Sequence, residues 1–330
     1  MDGRTALVLG ASGGIGGEVA ARLAMADWHV RGLVRDPARV DRALPLEWIA
    51  GDALAADDVR RAARGADLIV HAVNPAGYRN WSRLVLPMIN NTIAAAAETR
   101  ARILLPGTVY NYGPDALDAP QETSPQNPVT RKGRIRAELE RRLEVAAYNG
   151  RARVLIVRSG DYFGPRARNN WFGQVMVTPG RRPKAITYPG RTGVGHQWAY
   201  IPDVAETMVR LAERDGLDDF AAFHMEGHWD ADGTRMVEAI RSVLGDPDLP
   251  VKKLPWRLMR LASPAVPLFR EIGEIRYLWE RPVRLTNDRL VATLGAEPRT
   301  PLPDAVRASL RGLGCLEPAA ADAVRAVSAA

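Results

Sequence analysis

The sequence predicts an α/β protein built around a doubly wound parallel sheet. Three observations support this fold class. Short strands alternate with amphipathic helices through the first half of the chain, several of these strands are apolar throughout, and a glycine-rich turn joins the first strand to the first helix. Strands without a polar face indicate a sheet that is covered by helices on both sides.

The predicted elements follow one another in a regular order. Strands are expected at residues 5–9, 29–34, 46–50, 67–73, 102–105 and 153–157. Helices are expected at residues 14–26, 37–43, 57–63, 131–148 and within 81–99, where apolar residues recur at helical spacing. After residue 164 the alternation weakens, and we predict a strand at 185–188, a helix at 202–212 and a strand at 220–225.

Composition excludes several classes of protein. The chain has 330 residues, and its single cysteine, Cys315, excludes an internal disulfide and a four-cysteine zinc site. No run of 18 residues is uniformly apolar, so a membrane partner is not expected. The N-terminus does not resemble a secretory signal, and we therefore expect a cytoplasmic protein. His224 and His228 have no cysteine or carboxylate at metal-ligand spacing, so no metal is expected.

The positive charge of the chain has a compositional explanation. The formal net charge is +7, and 41 of the 45 basic residues are arginines in a chain that is also rich in alanine. The arginine-rich segment 131–142 also carries glutamates at a spacing that pairs them with arginines on one helix. We therefore expect no nucleic-acid partner and a small-molecule substrate instead.

The glycine-rich turn predicts a dinucleotide-binding site. It has the pattern G-x-x-G-x-x-G, and its candidate cofactor-binding residues are Gly10, Ser12, Gly13, Gly14, Ile15 and Gly16. Glycines at such a turn allow the backbone to approach a pyrophosphate, and the following helix N-terminus supplies N–H donors. The placement of this turn at the start of the series indicates a Rossmann-type fold.

The residues after the second strand indicate which dinucleotide is bound. An acidic residue there would bind the ribose hydroxyls of NAD, whereas an arginine would accommodate the extra phosphate of NADP. Arg35 follows the strand directly, and Asp36 precedes Pro37 in a pattern typical of a helix N-cap. We therefore predict NADP, bound by Arg35, with NAD as the alternative.

Further cofactor contacts are expected where the third and fourth strands end. Asp52 and Ala53 follow the third strand, and Ala72 and Asn74 follow the fourth. Since the carboxyl ends of parallel strands share one edge of the sheet, these residues should lie along the path of the cofactor.

Five segments in order resemble the short-chain dehydrogenase/reductase superfamily. They are Gly10-x-x-Gly13-x-x-Gly16, Gly51-Asp52, the segment Thr108 to Gly113, the segment Arg158 to Pro165, and the segment Tyr200 to Ala205. The chain is most similar to the extended and atypical branches, which include nucleotide-sugar epimerases and NmrA-like proteins, and the resemblance covers residues 4 to 312. It implies an NAD(P)-dependent oxidoreductase or an epimerase/dehydratase.

The catalytic residues of that superfamily are only partly matched. The usual set is a Ser or Thr after the fifth strand and a Tyr-x-x-x-Lys motif on the next helix. Thr108 falls on the first position. Matching Glu138 to the acidic residue that follows the motif places Thr130 at the Tyr position and Arg134 at the Lys position, where Arg134 would bind ribose or phosphate but cannot exchange protons.

Three hypotheses address the missing tyrosine. Tyr110 or Tyr112, in the loop after the fifth strand, would supply the phenol, although packing within the loop is the simpler interpretation. Tyr162, after the sixth strand, would supply the phenol from the opposite side of the site. In the third hypothesis there is no reaction, and the protein is a non-catalytic NADP-binding regulator or redox sensor of the NmrA-like type.

The resemblance also implies a discontinuous domain organisation. Residues 1–165 would form the dinucleotide-binding domain, to which residues 200–226 return. Residues 166–199 and 227–330 would form a smaller, interleaved C-terminal substrate lobe with its helices. A homodimer through the helices near 81–99 and 131–149 is likewise implied.

Overall fold

A computed structural model describes residues 3–40, 44–75, 80–116, 119–167, 170–264, 266, 269 and 273–317. Within these residues the large sheet has seven parallel strands. They are β1 (Thr5–Leu9), β2 (His29–Val34), β3 (Glu47–Ala50), β4 (Leu68–His71), β5 (Arg102–Pro106), β6 (Arg153–Arg158) and β10 (Phe220–His224). Their order across the sheet is β10-β6-β5-β4-β1-β2-β3, which reverses direction between β1 and β4.

Helices cover both faces of this sheet. The helices are α1 (Gly14–Met25), α2 (Ala56–Ala63), α3 (Trp81–Thr99), α4 (Arg131–Tyr148) and α5 (Ile201–Ala212). Side chains of α1 and α5 share one hydrophobic core with the sheet, and those of α2, α3 and α4 share another. The strands other than the edge strand β3 are therefore largely buried on both faces, and the predicted doubly wound α/β fold is confirmed.

The two smaller sheets and the helices that pack with them are here called the small lobe. It contains a three-stranded sheet of β7 (Asp161–Phe163), β9 (His196–Tyr200) and β11 (His228–Asp230), and a pair made by β8 (Ile186–Tyr188) and β12 (Val251–Lys253). Its described helices are α6 (Arg235–Leu244), α7 (Trp256–Ala262) and Leu302–Gly312, whereas the helix Asp288–Leu294 packs against the large sheet at β10. Buried aromatic side chains, including Trp198 and Trp279, fill its core.

Two elements near the carboxyl edge of the large sheet differ from their predicted bounds. The helix predicted over 37–43 is a single 3-10 turn, Pro37–Arg39, and residues 41–43 lie outside the described residues. Strand β4 ends at His71 rather than at residue 73, because the following residues turn toward a cleft. No helix in the described part of the chain combines the length and apolar character needed to cross a bilayer.

Candidate active site

A cleft of about 1000 Å³ lies along the carboxyl ends of β1 to β5. It spans the point between β1 and β4 where the strand order reverses, which is where open α/β sheets bind their ligands. Its lining includes eleven predicted site residues: Gly10, Ser12, Gly13, Gly14, Ile15, Arg35, Asp52, Ala53, Ala72, Asn74 and Thr108. Tyr110 and Tyr162 line the same cleft.

The glycine turn is closed so tightly that side chains are excluded. Gly10 has φ +91°, and a Cβ built there would lie 2.7 Å from the carbonyl carbon of Ala72. A Cβ on Gly16 would collide with the carbonyl oxygen of Gly10. Both positions therefore need glycine, one for its backbone conformation and the other for the close approach of helix to strand.

This turn fits the pyrophosphate of a dinucleotide. Gly13 is the N-cap of α1, no side chain caps the helix, and Ser12, Gly14 and Ile15 line the cleft beside its first turn. A helix N-terminus presents N–H donors and partial positive charge to an anion. The residues present at the turn therefore match the chemistry of the implied cofactor.

Two arginines lie where the cleft passes the end of β2. Arg35 is exposed and lines the cleft together with Arg39. Asp36 accepts a hydrogen bond from the Ala38 N–H at 3.0 Å and pairs with Arg39 at 3.1 Å, as expected for the cap of the 3-10 turn. Asp52 accepts from the Leu54 N–H at 3.0 Å, so its carboxylate shapes the loop after β3.

Tyr110 belongs to a chain of three hydrogen-bonded side chains. Its Oη donates to Oδ1 of Asp161 at 2.9 Å, and Oδ2 of Asp161 lies 2.9 Å from Nε2 of His196. Both Tyr110 and Asp161 line the cleft. Thr108 lies two residues before Tyr110, and its Oγ1 accepts from the Tyr110 N–H at 3.4 Å.

Asp161 and His196, the two inner members of this hydrogen-bonded series of side chains, are buried. The side chains of Asp161 and His196 are each 6% exposed, and the His196 ring stacks on Trp279 with 3.6 Å between centroids and 8° between planes. A carboxylate oxygen accepts hydrogen bonds, so Oδ2 of Asp161 accepts from Nε2 of His196 in the tautomer that carries its proton there. The Tyr110 hydroxyl can therefore accept a proton from a ligand while it passes its own proton inward.

The hydroxyl groups of the other two candidate tyrosines form hydrogen bonds within the protein. The Oη of Tyr162 donates to the carbonyl of Gly107 at 2.8 Å, and burial raises its pKa. Tyr112 is fully buried, lies 2.8 Å from Nε2 of His224, and has its pKa raised to about 12, chiefly by burial. Tyr112 is absent from the described lining of the cleft, in agreement with the packing interpretation.

The structure corrects the sequence match on α4. Arg134 is exposed, donates from Nη1 to the carbonyl of Val129 at 3.2 Å, and lines a separate hollow with Glu274 and Tyr277. Thr130 is the N-cap of α4 and accepts from the Gly133 N–H at 2.9 Å. Neither residue belongs to the described lining of the cleft.

The residue of α4 that lines the cleft is Arg136. Its guanidinium carbon lies 5.4 Å from the centroid of the Trp81 ring. Four residues before it is Lys132, which is 2% exposed and whose backbone N–H donates to Glu274 at 3.3 Å. Lys132 and Arg136 have the Tyr-x-x-x-Lys spacing two residues later than the sequence match, and of these two Arg136 lines the cleft.

A buried ion pair also favours the later register on α4. Oε2 of Glu140 accepts from Nε and Nη2 of Arg158 at 2.9 and 2.8 Å, and both side chains are at most 4% exposed. Glu138, which anchored the sequence match, instead pairs with Arg141 and Arg142 at the surface. The buried acidic residue of α4 is therefore Glu140.

Three buried histidines are held neutral. Burial lowers the pKa of His71 to about 3, and Arg136 adds to this effect. Burial also lowers the pKa of His224 to about 3, with Arg158 adding to it, and that of His228 to about 4. His71 lines the cleft, so it faces a ligand as a neutral ring.

These histidines should make the protein less stable in mild acid. Below about pH 6.5 the unfolded chain binds protons that the folded chain does not, so the free energy of unfolding falls by about 1.4 kcal/mol per pH unit for each histidine. The decline continues until the pH approaches the folded pKa values. Urea unfolding at about pH 7.5 and pH 5 measures it. His71→Gln should reduce the slope, and equal stability at both pH values would contradict the prediction.

Sequence reasoning missed Arg136 and the partners of Tyr110. Asp161 and His196 are joined by the pairing of β7 with β9, which no local pattern reveals. The repeated acidic and basic residues on α4 fit two registers of the same motif, and packing of α4 against the sheet decides between them.

Comparisons with known proteins agree with the fold. Residues 6–221 match the model of the NAD dependent epimerase/dehydratase family. The structure is similar to UDP-glucuronic acid 4-epimerase from Bacillus cereus, solved with UDP-glucuronic acid and NAD. The two share 17% identity and a TM-score of 0.73 over 94% of this chain and 98% of that one. Among curated proteins, none matches this sequence.

Two further solved structures show the same likeness. UDP-N-acetylglucosamine 4-epimerase from Methanobrevibacter ruminantium, solved with UDP-N-acetylmuramic acid, has 17% identity and a TM-score of 0.72. UDP-glucose 4-epimerase from Thermus thermophilus, solved with NAD, has 18% identity and a TM-score of 0.69. Each comparison covers 94% of this chain and 98% of the other. At such identities the likeness concerns the fold.

Proposed function

Because the chain belongs to the NAD dependent epimerase/dehydratase family, we propose that it is an NAD(P)-dependent oxidoreductase or epimerase acting on a small hydroxyl or carbonyl compound. The observation that carries this proposal is the shared cleft. One cavity is lined both by a turn suited to a pyrophosphate and by Tyr110 and Asp161, which are hydrogen-bonded to each other. His196 lies behind them and is hydrogen-bonded to Asp161. In this proposal the chain supplies proton transfer without the usual tyrosine on α4.

The glycine turn would hold the cofactor, with its pyrophosphate at the N-terminus of α1. Gly10, Ser12, Gly13, Gly14, Ile15 and Gly16 would form the turn, and Asp52, Ala53, Ala72 and Asn74 would line the remaining path. When bound, the nicotinamide would supply the hydride acceptor for oxidation or the donor for reduction. Arg136 would supply the positive charge beside the reacting groups, since Arg134 points away from the cleft.

Tyr110 would act as the acid and base. In oxidation, Oη of Tyr110 accepts the proton of the substrate hydroxyl while its own proton passes to Oδ1 of Asp161. The buried ring of His196 donates to the other carboxylate oxygen and stabilises the arrangement. In reduction the same protons move in the opposite direction. Thr108 lines the cleft two residues away, where its hydroxyl would position the substrate oxygen.

Arg35 would select NADP over NAD. Replacing it by serine removes a charge-assisted hydrogen bond to the extra phosphate and should raise the Kd for NADP about tenfold to a hundredfold. The Kd for NAD should stay unchanged. Fluorescence titration with both cofactors measures this, and Arg83→Ser, at an exposed position outside the described cleft lining, is the matched control. Equal loss of affinity for both cofactors would contradict the role of Arg35.

One observation favours the alternative, a non-catalytic NADP-binding regulator of the NmrA-like type. Helix α4 carries Lys132 and Arg136 at the spacing of the usual catalytic pair and has no tyrosine before Tyr148. The deciding experiment is oxidation of NADPH by the purified protein with a panel of carbonyl compounds. Oxidation supports an enzyme. Binding of NADPH without any oxidation across the panel supports the regulator.

A further inference from the structure

The substrate end of the cleft is short. Beyond Tyr110 and Asp161 the lining continues to Asn170 and Trp171, and within the described residues only Ile201 follows them in sequence. No later side chain of the small lobe is part of this lining in the described ranges. Within the described residues the lining therefore ends at Trp171 and Ile201.

A group of packed aromatic rings, here called the aromatic block, fills the space behind Trp171. It consists of Trp171, Trp198, Trp256, Trp279, Tyr188 and the ring of His196. Trp171 meets Trp279 edge-on at 5.2 Å between centroids, and Trp279 lies 5.7 Å from both Trp198 and Tyr188. All of these side chains except Trp256 are less than 9% exposed.

The aromatic block is part of the hydrophobic core of the small lobe. Trp198 is fully buried and Trp279 is 1% exposed, and both pack with Ile240 and Leu278 in one cluster. Interiors of this kind are close-packed and contain few voids larger than water. A ligand that extended into the lobe would have to displace several buried rings.

Most of the arginine side chains in the cleft lie where the proposed cofactor would bind. Its lining contains four arginines: Arg35, Arg39, Arg136 and Arg166. Arg35 and Arg39 lie where the cleft passes the end of β2, and Arg166 precedes Ala167, whose Cα lies 3.3 Å from a Cβ built on Gly14 in the glycine turn. Only Arg136 in the described lining lies beside the substrate end, which is too little charge for two adjacent phosphates.

From these observations we infer that the substrate is a compact carbonyl compound or secondary alcohol without a nucleotide, whose carbon skeleton packs against Trp171. Its reacting oxygen lies within reach of Thr108 and Tyr110. This inference rests on the proposed function and narrows its substrate class. Trp171 is the specificity-determining residue, and the aromatic block behind it sets the size limit.

Calorimetric titration tests the size limit without requiring turnover. The NADP-loaded protein is titrated with UDP, UDP-glucose and UDP-glucuronic acid. We expect no saturable heat with any of the three. Saturable binding of UDP in the presence of bound NADP overturns the inference, whether or not the protein proves to be an enzyme.

Kinetic measurement tests the role of Trp171. With NADPH and a panel that includes benzaldehyde, cyclohexanone and acetoin, Trp171→Ala should raise KM for the best substrate about tenfold and change kcat little. Trp256→Ala, which removes a ring of the block that is absent from the described cleft lining, is the matched control. Trp171→Phe serves if the alanine variant does not fold.

The outcomes separate the two proposals. An unchanged KM in both Trp171 variants, or an equal rise in Trp256→Ala, overturns the role of Trp171. A failure of every carbonyl compound to oxidise NADPH overturns the proposed enzyme itself. In that case the UDP titration still decides whether a nucleotide fits the cleft.

Discussion

Replacing Tyr110 by phenylalanine is expected to lower kcat about 100- to 10,000-fold, the usual contribution of general acid–base catalysis. The substitution removes only the hydroxyl that donates to Asp161 and leaves the ring in place. Cofactor affinity should therefore be retained. Steady-state oxidation of NADPH with the best carbonyl substrate gives kcat, and fluorescence titration gives the cofactor Kd.

Two other tyrosines make this experiment specific. Tyr148 is 92% exposed at the end of α4, so Tyr148→Phe is a neutral control. Tyr162→Phe tests the competing candidate, whose hydroxyl donates to the carbonyl of Gly107. A loss of turnover in Tyr162→Phe, with full activity in Tyr110→Phe, would reassign the proton transfer to Tyr162.

The second large effect concerns stability. Glu140→Ala is expected to lower the free energy of unfolding by about 3–5 kcal/mol, because it leaves the charge of Arg158 buried without its partner. Arg158 is 2% exposed and cannot reach solvent without disturbing the sheet. Urea unfolding followed by circular dichroism measures the change.

Glu138→Ala is the matched control for this measurement. Glu138 lies two residues before Glu140 on the same helix, and its side chain is 31% exposed beside Arg141 and Arg142. Exposed pairs contribute little, so the expected loss is below about 1 kcal/mol. Equal losses in the two variants would contradict the burial that separates Glu140 from Glu138. If Glu140→Ala does not fold, Glu140→Gln retains one hydrogen bond to Arg158 and should show a smaller loss.

Features that depend on neighbouring residues were predictable from the sequence. The glycine turn, the Asp36 cap and the alternation of strands with helices all follow from patterns within a few residues. Helix α4 was predicted at its observed bounds because an apolar stripe runs along it. These local signals were enough to fix the order of elements and hence the cofactor side of the cleft.

Features that depend on distant residues were not predictable. Arg134 and Arg136, like Glu138 and Glu140, are two residues apart and offer two matches to one motif. Only packing against the sheet decides which pair points inward. The pairing of Asp161 with His196, and the stacking of His196 on Trp279, likewise require strands and loops that are far apart in sequence.

The position of β10 in the large sheet has a consequence for synthesis of the chain. β10 lies at the edge of the sheet beside β6, although about sixty residues separate the two strands in sequence. As the chain leaves the ribosome, β6 therefore presents an unpaired apolar edge until Phe220–His224 has emerged. Such edges bind other unfinished strands. The nascent chain must therefore extend through β7, β8, β9 and α5 before the last strand of the large sheet can join it.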